Sequence, residues 1–260
     1  NCLRENNMQT LADYYGKTLK FDKLFSYCPG CGHGIVTRLV AETIEAMGIR
    51  EKTVSVVGIG CGGFSHHYME IDAIEAMHGR SPAVAVGYKT GMPDNIVYTY
   101  QGDGDMSAIG LAELLHAANR GVPITCIMVN NSLFGMTGGQ MSPTTIAGQV
   151  TSTTAKGRDV HTQGYPLLVP ELMRAMKGVA YLARESVADA KSINKAAKSI
   201  RNAFECQAKG LGFSFVEVIV PCPTGLKMKV LDSYAWSAKE ALGYFQPQVF
   251  KNELEQNREV

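Results

Sequence analysis

Apolar residues along this chain switch between two periods, and the switching predicts an architecture. Over residues 34–47 they recur every three or four positions (Ile35, Leu39, Val40, Ile44, Met47), the stripe of an amphipathic helix. Residues 53–59 then run apolar and β-branched without a break, which suits a strand covered on both faces. Helical spacing returns over 69–77, a short apolar run spans 83–86, and 95–101 reads as a strand. A helix over 107–119 and a strand over 124–129 follow. Beyond a Gly/Thr/Ser-rich loop, 134–154, helices are expected near 169–176 and 187–209, a strand at 213–220, and weaker helical pattern at 234–242. Strands alternating with helices predict an α/β fold with a doubly wound, mostly parallel sheet. Residues 1–25 read as an N-terminal arm, 26–225 as the ligand-binding domain and 226–260 as a C-terminal tail that wraps it.

Composition narrows the function more than the fold. The chain has 260 residues, 25 Lys and Arg against 24 Asp and Glu, and a net charge of +1. No basic run marks a nucleic-acid or anionic-membrane partner. The longest apolar stretches, 124–129 and 213–220, are far too short to span a bilayer. The polar start, NCLRENNMQTLADYYGK, carries no secretory signal, so a cytoplasmic location is expected. Seven cysteines in such a chain point to metal or redox chemistry rather than to a disulfide framework.

Candidate chemistry gathers at the predicted strand ends. Gly102-Asp103-Gly104-Asp105 closes one strand, and Asn130-Asn131 closes the next, a full helix-plus-strand return later. Parallel neighbours bring both loops to one carboxyl edge, where open α/β sheets bind ligands. Glycines let backbone approach an anion, while Asp103 and Asn131 offer hard oxygens of the kind Mg²⁺ prefers. A lone Gly-Asp-Gly is usually just a tight turn; the paired Asn at this spacing distinguishes this one. The arrangement resembles the thiamine diphosphate motif. That resemblance implies Mg²⁺ ligation by Asp103, the Asn131 side chain and the Leu133 carbonyl.

Cys28-Pro29-Gly30-Cys31 sets two thiols on a turn at a helix start, where amides and the helix dipole favour thiolates. Alone it could be half a zinc site, a redox pair or half an iron–sulfur site. Zinc and cluster sites need about four thiolates. Cys61 and Cys222 both follow predicted strands and so fall at the same edge as Asp103. Cys126 lies inside a strand and reads as core; Cys206 lies on the long helix and Cys2 in the arm. His66-His67 could pass for a metal pair, but adjacent loop residues are expected to point apart. His78-Gly79-Arg80 reads either as the end of the helix predicted over 69–77, with Gly79 as its C-cap, or as part of a pocket.

Cys28-Pro29-Gly30-Cys31-Gly32, Gly58-Ile59-Gly60-Cys61, His78-Gly79-Arg80, the Gly-Asp-Gly-Asp and Asn-Asn loops, and Thr137-Gly138-Gly139-Gln140-Met141-Ser142-Pro143-Thr144 occur in that order. Together they resemble the thiamine-diphosphate-binding β subunit of the 2-oxoacid:ferredoxin oxidoreductases. The resemblance implies a 4Fe–4S cluster on Cys28, Cys31, Cys61 and Cys222. It places the cofactor against Gly60, Cys61, Gly62, His78, Gly102, Asp103, Gly104, Asp105, Asn131, Leu133, Gly135, Met136 and Thr137. His78 and Arg80 would face the substrate. The implied reaction is reversible oxidative decarboxylation of a 2-oxoacid to acyl-CoA and CO₂, with electrons leaving singly through the cluster to ferredoxin. Implied partners are α-type and γ/δ-type subunits, the α-type supplying the Glu that thiamine activation needs. Relatives acting on charged substrates carry a basic residue where this chain has Phe64, or a Lys where it has Gly138. Burying an unpaired second carboxylate is costly, so a branched-chain 2-oxoacid such as 2-oxoisovalerate is expected. A 2-oxoglutarate- or pyruvate-specific member, a cluster-free thiamine decarboxylase or synthase, and a non-catalytic zinc-binding subunit are the alternatives. A dinucleotide site is not, because no Gly-x-Gly-x-x-Gly opens a helix with an acid at the end of the next strand.

Overall fold

The computed structural model describes residues 18–20 and 26–256. Most of the expected N-terminal arm, including Cys2, lies outside the described residues. Seven strands form one sheet in the order β2-β1-β3-β4-β6-β5-β7, with ranges β1 Thr53–Val57, β2 Asp72–Glu75, β3 Ile96–Gly102, β4 Thr125–Asn130, β5 Val179–Ser186, β6 Phe213–Ile219 and β7 Gln248–Asn252. Every pairing is parallel except that of β7 with β5. Six α-helices of five or more described residues surround it: α1 Gly32–Ala46, α2 Ser81–Gly91, α3 Leu111–Arg120, α4 Val169–Met173, α5 Ala190–Ala208 and α6 Val230–Trp236.

The alternation of side chains along each strand divides the core in two. Ile127 and Val129 of β4 join α1 and α5 on one face, through Val36, Leu39, Ile44, Ile200 and Phe204. Cys126 and Met128 join α2, α3 and α4 on the other, through Ala85, Leu114 and Val169. Central strands buried on both faces explain the uninterrupted apolar runs. Each fully buried Val, Leu or Ile contributes about 1.5–3 kcal/mol relative to exposure. Among the described residues no helix is long and apolar enough to cross a membrane.

Three expectations need correction. The stretch 69–77 is not a helix: after a 3₁₀ segment, Cys61–Tyr68, residues Asp72–Glu75 pair with β1 as edge strand β2. Backbone pairing with β1 overrides the helical spacing there. His78-Gly79-Arg80 therefore follows a strand and precedes α2, and Gly79 (φ +78°) turns the chain into that helix rather than capping one. The apolar run 83–86 lies inside α2. Strands β5 and β7 were not expected at all.

β5 was hidden by its charges. Arg184, 1% exposed, projects from a strand whose residues are all buried. Its Nε donates to Glu217 Oε2 at 2.5 Å, and Nη1 and Nη2 donate to the Glu171 carboxylate at 2.9 and 2.7 Å. Phe245 and Phe250 flank the guanidinium, each centroid 5.5 Å away. Glu217 in turn accepts from Asn130 Nδ2 at 2.7 Å, tying this network to the end of β4. Removing one partner of a buried pair strands the other charge. Arg184→Met is accordingly expected to lower the urea unfolding free energy by about 3–5 kcal/mol. Adding Glu217→Gln should recover part of that loss; a single-variant loss below about 1 kcal/mol would show that the pair carries no weight.

Candidate cofactor and cluster site

Because β2, β1, β3, β4 and β6 run the same way, the loops leaving their carboxyl ends share one rim. Strand order reverses between β1 and β3, and that switch point is where an open α/β sheet offers a crevice. A cleft of about 270 Å³ opens there. It is lined by Gly60, Cys61, His78, Gly102, Asp103, Gly104, Asp105, Asn131, Leu133, Gly135, Met136 and Thr137, and also by His33, Ile59 and Phe134. All but one of the expected cofactor-binding residues are therefore on its wall. The exception, Gly62, packs behind it against the backbone of β3. A larger groove of about 560 Å³ between α5 and β7 shares no residue with these loops. Convergent polar groups, not size, single out the smaller cleft.

Asp103 is 1% exposed. Its Oδ2 accepts hydrogen bonds from Ser142 Oγ at 2.6 Å and Thr144 Oγ1 at 2.5 Å. Burial pushes this carboxyl up to about 6, against the pull of those hydroxyls and of the Asn131 amide. A buried carboxylate held only by neutral donors is poised for a cation. Beside it, Asn131 is 5% exposed and accepts from the Leu133 N–H at 3.3 Å. The Leu133 carbonyl takes no hydrogen bond among the described residues. Ser132 between them adopts φ +61°, a strained conformation of the kind stored at functional sites. The three oxygens suit a hard cation such as Mg²⁺.

The loop 134–154 carries Ser142 and Thr144, and it is not a loose cover. Arg158, 6% exposed, donates to the carbonyls of Ser142, Pro143, Thr145, Gln163, Gly164 and Tyr165. Thr145 Oγ1 donates to the Ser132 carbonyl at 2.7 Å. One guanidinium thus frames the loop that supports Asp103. Sequence reading missed Arg158 because nothing local marks a side chain that binds only carbonyls.

Asp105 plays a different part from its neighbour. It accepts from the Gly79 N–H and from Gln101 Nε2, each at 2.6 Å, and its Oδ1 lies 2.5 Å from His78 Nδ1. Burial holds its carboxyl above the usual carboxylate range. Gly58 sits against it so closely that a Cβ there would collide with Oδ2. Asp105 therefore joins the loops after β1, β2 and β3. His78, 39% exposed at its side chain, lines the cleft as expected. Arg80 does not: its guanidinium donates to the Ile109 carbonyl at 3.0 Å and to Glu113 at 2.5 Å.

The four expected cluster cysteines meet on the same rim. The Gly32 N–H donates to the Pro221 carbonyl at 3.2 Å, bringing the Cys28–Cys31 turn to the Cys222 loop. A Cβ on Gly135 would lie 3.5 Å from the Cys222 sulfur, 3.8 Å from the Cys61 sulfur and 3.6 Å from Asn131 Nδ2. Burial pushes the Cys31 thiol up to about 12, with repulsion from Cys222, Cys61 and Cys28 adding to it; Cys222 rises to about 11, chiefly by burial. Cys61 is raised for the same first reason. Such thiols ionise readily only when a metal takes the proton's place. Among the described residues no three or more His, Cys, Asp or Glu are placed to hold a single metal ion. Cys126 is buried in the core, as its place in a strand implied, and Cys206 on the long helix is buried as well. His66 and His67, expected to point apart, instead stack edge to face with centroids 4.1 Å apart, and His66 Nδ1 contacts the Gly63 carbonyl.

Residues 58–218 match the family described as thiamine pyrophosphate enzyme, C-terminal TPP binding domain. Ketoisovalerate oxidoreductase subunit VorA of Methanothermobacter marburgensis is 45% identical over 201 residues, which cover 77% of this chain and 42% of the relative. 2-Oxoglutarate synthase subunit KorB of Archaeoglobus fulgidus is 37% identical over 206 residues, 79% of this chain and 73% of that one. In fold, the chain resembles a 2-oxoglutarate:ferredoxin oxidoreductase from Magnetococcus marinus solved with 2-oxoglutarate, coenzyme A and succinyl-CoA bound. The TM-score is 0.76 over 99% of this chain and 92% of that one, at 23% identity. This chain belongs to the thiamine-diphosphate-binding subunits of the 2-oxoacid:ferredoxin oxidoreductase family.

Arg158→Lys keeps the charge but loses the fork that reaches six carbonyls. The variant is expected to unfold about 2–4 kcal/mol more easily in urea and to bind thiamine diphosphate with Mg²⁺ at least about ten-fold more weakly in calorimetric titration. Unchanged affinity would mean that the Ser142 and Thr144 support is held by other contacts.

Proposed function

We propose that this chain holds thiamine diphosphate and a 4Fe–4S cluster side by side and forms half of the active site of a 2-oxoacid:ferredoxin oxidoreductase. The observation that carries this reading is Gly135, which borders the Asn131 amide and the Cys61 and Cys222 sulfurs at once. Bound there, thiamine diphosphate supplies a carbanion-forming, electron-accepting ring and the cluster supplies a one-electron acceptor.

The chain's own residues divide the work. Asp103, Asn131 and the Leu133 carbonyl hold Mg²⁺ on the diphosphate, and bare backbone at Gly102 leaves room for it. Cys28, Cys31, Cys61 and Cys222 hold the cluster. His78, held beside Asp105 on the cleft wall, is the candidate to meet the 2-oxoacid carboxylate. Arg80 is assigned the lesser task of fixing the His78 loop through Glu113. The catalysed change is oxidative decarboxylation to acyl-CoA and CO₂, with electrons passing singly to ferredoxin, and it is reversible. α-Type and γ/δ-type subunits complete the complex.

Ile59, Phe134 and Met136 give the cleft apolar surface, and among the described residues no Lys or Arg lines it. A second carboxylate would go unpaired there. The substrate side chain is therefore apolar, and a branched-chain acid such as 2-oxoisovalerate fits. The greater identity to the ketoisovalerate relative supports the same choice.

In the co-purified complex, Asp103→Ala is expected to lose bound thiamine diphosphate while iron content stays intact. Cys61→Ala should do the reverse, keeping cofactor and losing iron with electron transfer to ferredoxin. Loss of the same ligand from both variants would overturn the two-site assignment. With coenzyme A and a low-potential acceptor, kcat/KM for 2-oxoisovalerate should exceed that for 2-oxoglutarate by about ten-fold or more; the opposite order would refute the substrate assignment alone.

A further inference from the structure

The Cys222 sulfur borders two openings. From the cofactor cleft it is approached through Gly135. From a second, separate groove it is approached through Gly225, where a Cβ would lie 3.0 Å from the sulfur. That groove holds about 310 Å³, and Val150, Lys227, Met228 and Trp236 share its wall with Gly225. It has no lining residue in common with the cleft.

The chain leaving the groove runs straight to the Cys28–Cys31 turn. Val230, the first residue of α6, sits on the bare Cα of Gly30: a Cβ there would come 2.5 Å from Val230 Cγ1. Cys28 and Pro29 beside it are exposed. So are Lys227, Met228, Lys229, Val230 and Leu231 in succession, Leu231 by 82%. Val150 adds a further exposed apolar side chain from the groove wall. Over residues 223–236 there are two lysines and one acid, Asp232, which lies in the first turn of α6 where the helix dipole offsets it. Exposed apolar side chains interleaved with like charges mark a docking surface.

We propose that the groove at Gly225, with Lys227, Lys229 and Leu231 around it, receives an acidic one-electron carrier protein of the ferredoxin class. This rests on the cluster reading above. Thiamine and substrate take the cleft, so a protein acceptor needs another approach to the sulfurs, and Gly225 and the exposed Cys28 supply one. The lysines steer a negatively charged partner, and a patch this small suits the brief encounters of electron carriers better than a permanent subunit contact. Each encounter passes one electron: the reduced cluster is oxidised and the carrier's iron is reduced. Two such transfers carry away the pair released by one 2-oxoacid, and no bond forms or breaks on this surface.

The test uses the anaerobic co-purified complex with its best 2-oxoacid, coenzyme A and either of two acceptors. One is a net-negative two-cluster ferredoxin, the other propyl viologen sulfonate, a small dye of zero net charge. At low ionic strength Lys227→Glu/Lys229→Glu is expected to lower kcat/KM for ferredoxin by about ten-fold, and added salt should shrink the difference. Lys227→Gln/Lys229→Gln and Leu231→Ser should each lose about three-fold. The rate with the dye, iron per chain and the subunit ratio should not change. Unaltered ferredoxin kinetics in these variants, or equal losses with both acceptors, would overturn the proposal. Loss of another subunit from the variant complex would overturn it too, by making the surface a subunit interface. An unaltered complex without iron would instead defeat the cluster reading, whatever the lysines do.

Discussion

A buried carboxylate with no metal role holds the rim of this sheet together. Asp105 accepts from the Gly79 amide and the Gln101 side chain, touches His78, and presses on the bare Cα of Gly58. Burying a carboxylate costs several kcal/mol unless its lone pairs are met. Here the donors that meet them come from the ends of β2 and β3, while the end of β1 supplies the space. The cost of burial is thus converted into a geometric demand: three loops must arrive together or the charge goes unsatisfied. His78 and the backbone at Gly60 face the cleft because of that demand. Asp103, two positions earlier, is left free for a different partner.

The second constraint is electrostatic. Three wholly or partly buried thiols and two buried carboxylates share one rim with few cations to offset them, and burial drives each toward its protonated form. On the proposed function, iron and magnesium would bring the charge that lets these groups ionise, which would couple metal loading to local order. The framing by Arg158 and by the Arg184 pair with Glu217 keeps the loops in register before any metal arrives.

What the amino-acid pattern made legible was the chemistry at strand ends. Gly102–Asp105, Asn130-Asn131 and Cys28–Cys31 announce themselves because short motifs sit where strong apolar runs stop. The central strands β1, β3, β4 and β6 were legible for the same reason. β2 was not, because an edge strand with Asp72, Ala73 and Glu75 exposed carries no apolar run. β5 was obscured by Arg184 and Glu185, charges tolerated only through partners such as Glu217 and Ser199 that no local window reveals. The hydroxyls that steady Asp103 come from 39 and 41 residues away. Arg80 illustrates the converse: a basic residue inside a functional motif satisfied locally by Glu113 instead of reaching the cleft.

The most direct measurement is an anomalous-scattering crystal structure of the anaerobically purified complex with thiamine diphosphate and Mg²⁺. The expected result is one iron cluster among Cys28, Cys31, Cys61 and Cys222, with the diphosphate at Asp103 and Asn131 across Gly135 from it. Iron elsewhere, a single zinc ion on these sulfurs, or a diphosphate bound away from that rim would contradict the shared site.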